Sequence, residues 1–322
     1  MTAGVGYHSR MLRCERCTLS EREDVALDAA MNQLMRTTPP MDAKVSARLL
    51  LEAKEIFDSQ GVTFFLRQGT CLGAIRDHAF IPWDDDIDIG SILGLHGFEE
   101  SMIEPLADAF RARGFYVKRD QFAGETWLGL MKDNIRIDWS CLRVRKGHVV
   151  HFPGARFPID LFKNLREIDF LGQKFLVANP PEEYLRIKYG PTWMTPNQFS
   201  YGKDVVANLP AGSMPGHPSQ LTQRVLMRVF PNRVVKLRIL DWQGVPVLNG
   251  EVVVAAWGTY KANGAGYVRL YVPRVELYAL VVRGSGREEV LYEEELSPGK
   301  TYEYRPDPGM ASGRIFVLAE VA

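Results

Sequence analysis

No stretch of this 322-residue sequence approaches the ~18 consecutive apolar residues that a membrane-crossing helix needs. The opening, Met1 to Arg22, also lacks the apolar segment of a signal peptide. Charge of one sign is missing too: 39 basic and 39 acidic residues balance, which gives no reason to expect nucleic acid as a partner. Cysteine is scarce, and four in a chain this long do not make a disulfide framework; their scatter fits a reducing cytoplasm. Cys14 and Cys17 form one Cys-x-x-Cys, but half a zinc site needs a second pair and only His8 is near. Two thiols on an arm is the plainer reading of that pair, with metal binding as the lesser alternative.

Apolar residues, at 46%, are enough for a sizeable core, and the length predicts two domains. Residues 1–45 read as an N-terminal arm with a helix from Leu19 to Arg36, broken by Thr37-Thr38-Pro39-Pro40. Residues 46–205 mix the two periodicities. Asp42 caps a helix whose stripe is Leu49, Ala53, Ile56 and Phe57; a second helix is expected over Phe98 to Arg113, and strands over Thr63 to Leu66, Phe115 to Lys118, Trp127 to Lys132 and Asn134 to Trp139. Residues 206–232 form a linker, rich in Pro, Gly and Ser from Asn208 to Ser219, and a short basic helix. From 233 to 322 the texture becomes short strands between turn residues, an antiparallel β-sandwich.

Chemistry concentrates in residues 64–90, where Asp84, Asp85, Asp86 and Asp88 fall within five positions. Strand alternation puts Asp86 and Asp88 on one face and Ile87 and Ile89 on the other, so an apolar anchor can hold two carboxylates toward one cation. Asp84 has the same parity. Two carboxylates with room for water and phosphate oxygens suit Mg²⁺ or Mn²⁺, whereas the twelve-residue pattern of an EF-hand is missing. A solvated acidic loop is the plain alternative; packed acids with no basic neighbour would repel, and a metal removes that penalty. Gly69 permits a sharp turn before a helical run from Cys71 to Arg76, and a helix end after a glycine favours phosphate. Asp138 lies among Ile135, Ile137 and Trp139, where an acid either caps a turn or joins a site.

Gly69-Thr70, Leu72-Gly73-Ala74, Arg76, Phe80-Ile81-Pro82-Trp83-Asp84-Asp85-Asp86 and Asp88 together resemble the signature of the LicD family. The likeness continues through Tyr184, Leu185, Tyr189-Gly190, Trp193 and Pro196, covering about residues 46 to 200. Three positions depart from the family pattern: Arg67 and Gln68 precede the glycine where small or acidic residues are usual, and Cys71 replaces leucine. The resemblance implies an α+β nucleotidyltransferase-like catalytic domain ahead of the all-β sandwich. It also implies transfer of a phosphorylated alcohol, of the phosphocholine or polyol-phosphate type, from a CDP-activated donor to a glycan hydroxyl. The site it implies has Asp86, Asp88 and Asp138 as catalytic acids, the same three with Asp84 as metal ligands, and Gly69, Thr70 and Arg76 against the donor. The alternatives are a nucleotidyltransferase that uses NTP and a non-catalytic glycan- or partner-binding protein. The expected location is cytoplasmic, with peripheral contact at the inner membrane face if the acceptor is lipid-linked.

The sandwich opens with Asp241-Trp242-Gln243-Gly244-Val245-Pro246-Val247 and later carries Gly264-Ala265-Gly266-Tyr267, which resembles carboxypeptidase-regulatory or transthyretin-like sandwiches. No cluster of His, Cys or acids in that half suggests catalysis.

Overall fold

The computed structural model describes residues 19–122, 125–198, 201–207, 209, 220–307 and 316–321. Cys14, Cys17 and, apart from Leu209, the linker from Asn208 to Ser219 lie outside them. A helix α1 (Leu19–Thr37) precedes α2 (Ala43–Ser59), whose first turn is closed by the Asp42 carboxylate accepting from the Lys44 and Val45 N–H groups. Then come β1 (Phe65–Leu66), α3 (Gln68–Arg76), β2 (Asp86–Ile92), α4 (Ile103–Ala112), β3 (Tyr116–Phe122), β4 (Glu125–Lys132) and β5 (Ile135–Leu142). Short strands β6 (Val144–Arg145), β7 (His148–His151) and β8 (Ala155–Pro158) form a small sheet, followed by α5 (Asp160–Lys163). The hairpin of β9 (Arg166–Phe170) and β10 (Gln173–Val177) turns at Leu171 and Gly172, both at positive φ, and α6 (Pro181–Tyr189) stops at Gly190.

Seven strands form one mixed sheet in the order β3-β4-β5-β2-β1-β10-β9. Its centre is the parallel pair β2 and β5, in register Asp86 to Arg136, Ile87 to Ile137, Asp88 to Asp138, Ile89 to Trp139 and Gly90 to Ser140. The odd positions, Ile87, Ile89, Ile137 and Trp139, are fully buried. Trp139 meets Phe57 of α2 edge-on at 5.1 Å, and Phe57 meets Phe110 of α4 at 5.5 Å. Burying each of these side chains contributes about 1.5–3 kcal/mol. That anchor fixes the twist of the two strands and leaves the even positions on the opposite face.

After α7 (Tyr201–Ala207) and α8 (Gln220–Val229) the chain forms β11 (Val234–Ile239), β12 (Glu251–Val254), β13 (Gly258–Lys261), β14 (Tyr267–Tyr271), β15 (Glu276–Gly284), β16 (Arg287–Leu296), β17 (Thr301–Tyr304) and β18 (Ala319–Val321). They make two four-stranded sheets, β14-β11-β17-β18 and β13-β12-β15-β16, around a core that includes Val235, Leu237, Val252, Leu280 and Leu291. The strand β13 was not expected from the sequence. Its four residues, Gly258, Thr259, Tyr260 and Lys261, show half-buried and exposed positions only, so no apolar period marks it.

Candidate active site

A cavity of about 450 Å³ opens over the even-numbered face of β2 and β5, and its wall includes Asp84, Asp85, Asp86, Asp88, Arg136, Asp138 and Ser140. Because β2 and β5 are hydrogen-bonded neighbours, the Cα atoms of Asp88 and Asp138 stand about 4.8 Å apart across the ladder. The alternation that buries the isoleucines is therefore what gathers the acids. Asp138 caps no turn; it faces the cavity beside Asp88. Oxygens of Asp84, Asp85 and Asp86 all lie within 4.8 Å of one another, a spacing that could hold a metal ion.

The acids do have a basic neighbour, contrary to the sequence reading. Arg136 donates from Nη2 to Asp86 at 2.5 Å and to Asp85 at 3.1 Å, and from Nη1 to Asp138 at 3.1 Å. It sits two residues before Asp138 on the same face, so strand parity would have placed it there. One guanidinium does not neutralise five aspartates. Burial, and next the Asp86 charge, push Asp85 and Asp88 up to about 7. Asp84 is raised well above the ordinary carboxylate range by burial and then by its neighbours. Burial also raises Asp138, with Arg136 working against it. Arg136 itself is held charged by the surrounding acids against the effect of burial. Asp84 Oδ2 and Asp138 Oδ1 are buried with no hydrogen-bond partner. Excess negative charge and orphaned oxygens are what a divalent cation would satisfy.

The turn before the acids differs from its expected form. α3 begins at Gln68, whose φ is +42, so Gly69 is inside the helix rather than ahead of it. Its lack of a side chain serves another purpose: a Cβ there would stand 2.4 Å from Asp84 Oδ2. The helix end also does not offer its N–H groups to a phosphate. Gly69 N–H donates to Asp88 Oδ2 at 3.2 Å, and Gln68 N–H to the Tyr184 hydroxyl at 3.1 Å. Thr70, fully buried, accepts from Asp88 N–H at 2.8 Å through Oγ1. Gly69 and Thr70 thus hold Asp88 in place, aided by Gln68 Nε2 donating to Asp88 Oδ1 at 2.9 Å. Arg76 lines the cavity, but its Nε and Nη2 are engaged by Asp77, at 2.9 and 2.7 Å.

The far wall comes from the C-terminal sheets and the loop before β15, through Arg274, Glu276, Leu277, Tyr292 and Glu293. Sequence reasoning missed all five, because nothing local announces a contact made 150 residues away in the chain. Lys188 of α6, 1% exposed, donates to the Tyr292 hydroxyl at 3.1 Å and to the Phe152 carbonyl at 3.0 Å. The Tyr292 ring meets Phe152 edge-on at 5.5 Å. Burial lowers Lys188 to about 7 and raises Glu293, whose charge acts on the same centre as Arg136 and Asp86.

Among the described residues, no helix is long and apolar enough to cross a membrane. Residues 61–179 match the family described as LicD/FKTN/FKRP, nucleotidyltransferase domain. The chain is similar to the ribitol-5-phosphate transferase FKTN of Macaca fascicularis, 28% identical over 170 residues, which is 50% of this chain and 36% of that protein. It is similar also to the ribitol 5-phosphate transferase FKRP of Mus musculus, 24% identical over 164 residues, 48% of this chain and 33% of that protein. An uncharacterized protein of Rickettsia typhi is 25% identical over 118 residues, 36% of this chain and 34% of that protein. The chain spans about a third of the length of these relatives. The matched residues 61–179, which hold Gly69 and the aspartates 84, 86, 88 and 138, therefore carry a domain similar to that of the LicD family.

Proposed function

We propose that this protein is a metal-dependent transferase that moves a phosphorylated alcohol from a CDP-activated donor to a glycan hydroxyl. The observation that carries the reading is the convergence of Asp84, Asp86, Asp88 and Asp138 on one cavity, with two of their oxygens buried and unpartnered. The names of the FKTN and FKRP relatives favour a polyol phosphate as the transferred group over phosphocholine.

Asp84, Asp86, Asp88 and Asp138 would hold Mg²⁺ or Mn²⁺, with Asp85 adding charge. When bound, such an ion neutralises donor phosphate oxygens and stabilises the departing phosphate. The chain's own residues do the rest. The Asp88 carboxylate is fixed by Gln68 and Gly69, and its backbone N–H by Thr70 Oγ1, so the carboxylate needs little reorganisation. The acceptor oxygen attacks the phosphorus that carries the alcohol, the bridging P–O bond breaks, and CMP leaves. Asp138 is the carboxylate that, where it does not ligate the ion, takes the proton of the attacking hydroxyl. We read residues 46–205 as the catalytic domain and 233–322 as an all-β accessory sandwich. Tyr292 and Glu293 line the same cavity, which supports reading the sandwich as part of the acceptor wall.

The test is incubation with CDP-ribitol, CDP-glycerol and CDP-choline in Mg²⁺, following nucleotide products. CMP release that chelation abolishes, and that falls about a thousandfold in Asp88→Ala, supports the reading. Pyrophosphate release from CTP, with CDP-alcohols left intact, would favour nucleotidyl transfer instead.

A further inference from the structure

We infer that Arg67 forms an anion subsite in the cavity, a receptor for phosphate oxygens one step along the β2/β5 ladder from the aspartate pair Asp88 and Asp138. The inference deepens the transferase reading and takes from it the identity of the ligand; the subsite itself rests on the side chain's surroundings.

Arg67 is 2% exposed and yet lines the cavity. Its Nη1 donates to Ser140 Oγ, while Nη2 is buried without any hydrogen-bond partner. Nor does Arg67 form an ion pair with any described residue. The nearby carboxylates are engaged elsewhere: Asp88 accepts from Gln68 and Gly69, and Glu125 accepts from Arg143 N–H at 3.4 Å. Lys188, the nearby buried amine, brings charge of the same sign when protonated. A buried guanidinium nitrogen with no acceptor carries a standing penalty, which a bound anion would remove.

The backbone makes room for this side chain. A Cβ on Gly90 would stand 3.0 Å from Arg67 Cδ, so the arginine stem crosses β2 at its one residue without a side chain. Gly90 pairs with Ser140, and the preceding rung on this face is Asp88 with Asp138. Two residues along a parallel strand span about 6.6 Å. A cation bound at the aspartates and the Arg67 fork would therefore bracket a diphosphate from its two ends. A guanidinium's planar donors match phosphate oxygens in pairs. Arg67 is also where the sequence departs from its family, so the subsite belongs to this chain.

Titration calorimetry with inorganic pyrophosphate in Mg²⁺ tests the subsite on the wild type, Arg67→Met and Arg67→Lys, with thermal unfolding as the fold control. Wild type should bind, Arg67→Met should bind about tenfold or more weakly, and Arg67→Lys should fall between. If Arg67→Met does not fold, Gly90→Ala carries the test: it keeps the charge, displaces the stem and should weaken pyrophosphate severalfold. Wild-type affinity in folded Arg67→Met, or in Gly90→Ala where that variant carries the test, would overturn the inference, as would failure of the wild type to bind. The transferase reading is judged separately. Arg67-dependent pyrophosphate binding without cleavage of any CDP-alcohol keeps the subsite and removes that reading. CMP release with unchanged pyrophosphate affinity in Arg67→Met does the reverse.

Discussion

Arg136 stands directly across the β2/β5 ladder from Asp86 and donates to its carboxylate at 2.5 Å. This pair keeps the cluster together when no divalent ion is present, because the guanidinium also reaches Asp85 and Asp138. Removing it leaves buried like charges facing one another. Arg136→Met should lose about 3 kcal/mol in urea unfolding at pH 8 with chelator present, and recover much of that in Mn²⁺. Unchanged stability in chelator would show that the acids do not depend on this cation.

Gly69→Ala tests the close approach of Asp84. The new methyl carbon would fall 2.4 Å from Asp84 Oδ2, and a flexible carboxylate end can move away without disturbing the helix. Metal affinity should therefore drop about tenfold, or ~1.4 kcal/mol, with little change in Tm. Calorimetric titration of Mn²⁺ against both proteins measures it; equal affinities would remove Asp84 from the ligand set.

The raised aspartates set a pH dependence. Asp85 and Asp88 titrate at about 7 in the folded protein, against an ordinary value of 3.8. Between those limits the folded state binds more protons than the unfolded one, so stability is full near pH 4 and is lost as pH rises through 7. Buried His151, whose ring is held neutral by burial, works in the opposite direction, and so does Lys188, lowered by burial to about 7, once the pH passes that value. Asp84 and Asp138 add to the larger side. Thermal unfolding in chelator should fall from pH 5 to pH 8, and saturating Mn²⁺ should flatten the curve. A rising curve in chelator would contradict the electrostatic picture.

Tyr292 links the two halves through Lys188 and Phe152. Tyr292→Ala removes a ring that is 8% exposed and should cost about 3 kcal/mol. Scanning calorimetry should show one main transition in the wild type and two in the variant. Two transitions already present in the wild type would mean that the C-terminal sheets do not stabilise the cavity wall.

Much of this site was legible in the sequence, because alternation is a local property. Ile87 and Ile89 between Asp86 and Asp88 dictate which face each takes, and the same rule applied to Asn134 to Trp139 would have set Arg136 beside Asp138. The pairing of β2 with β5 was not legible: about 50 residues separate them, and only the folded sheet makes Asp88 and Asp138 neighbours. The glycine turn misled for a similar reason. Gly69 looked like a hinge for the chain, whereas its Cβ-free face is needed by Asp84, fifteen residues on. Tyr292 and Glu293 carry no local mark of the cavity they reach.

The most direct measurement is the amount of Mn²⁺ bound per chain, read by electron paramagnetic resonance, in the wild type and in Asp86→Asn/Asp88→Asn. Asp86 belongs both to the 84–86 triad and to the ladder set, so the double variant empties either arrangement. The account predicts tightly held Mn²⁺ in the wild type and none in a double variant that unfolds as cooperatively as its parent. Equal Mn²⁺ retention by the two proteins would contradict it.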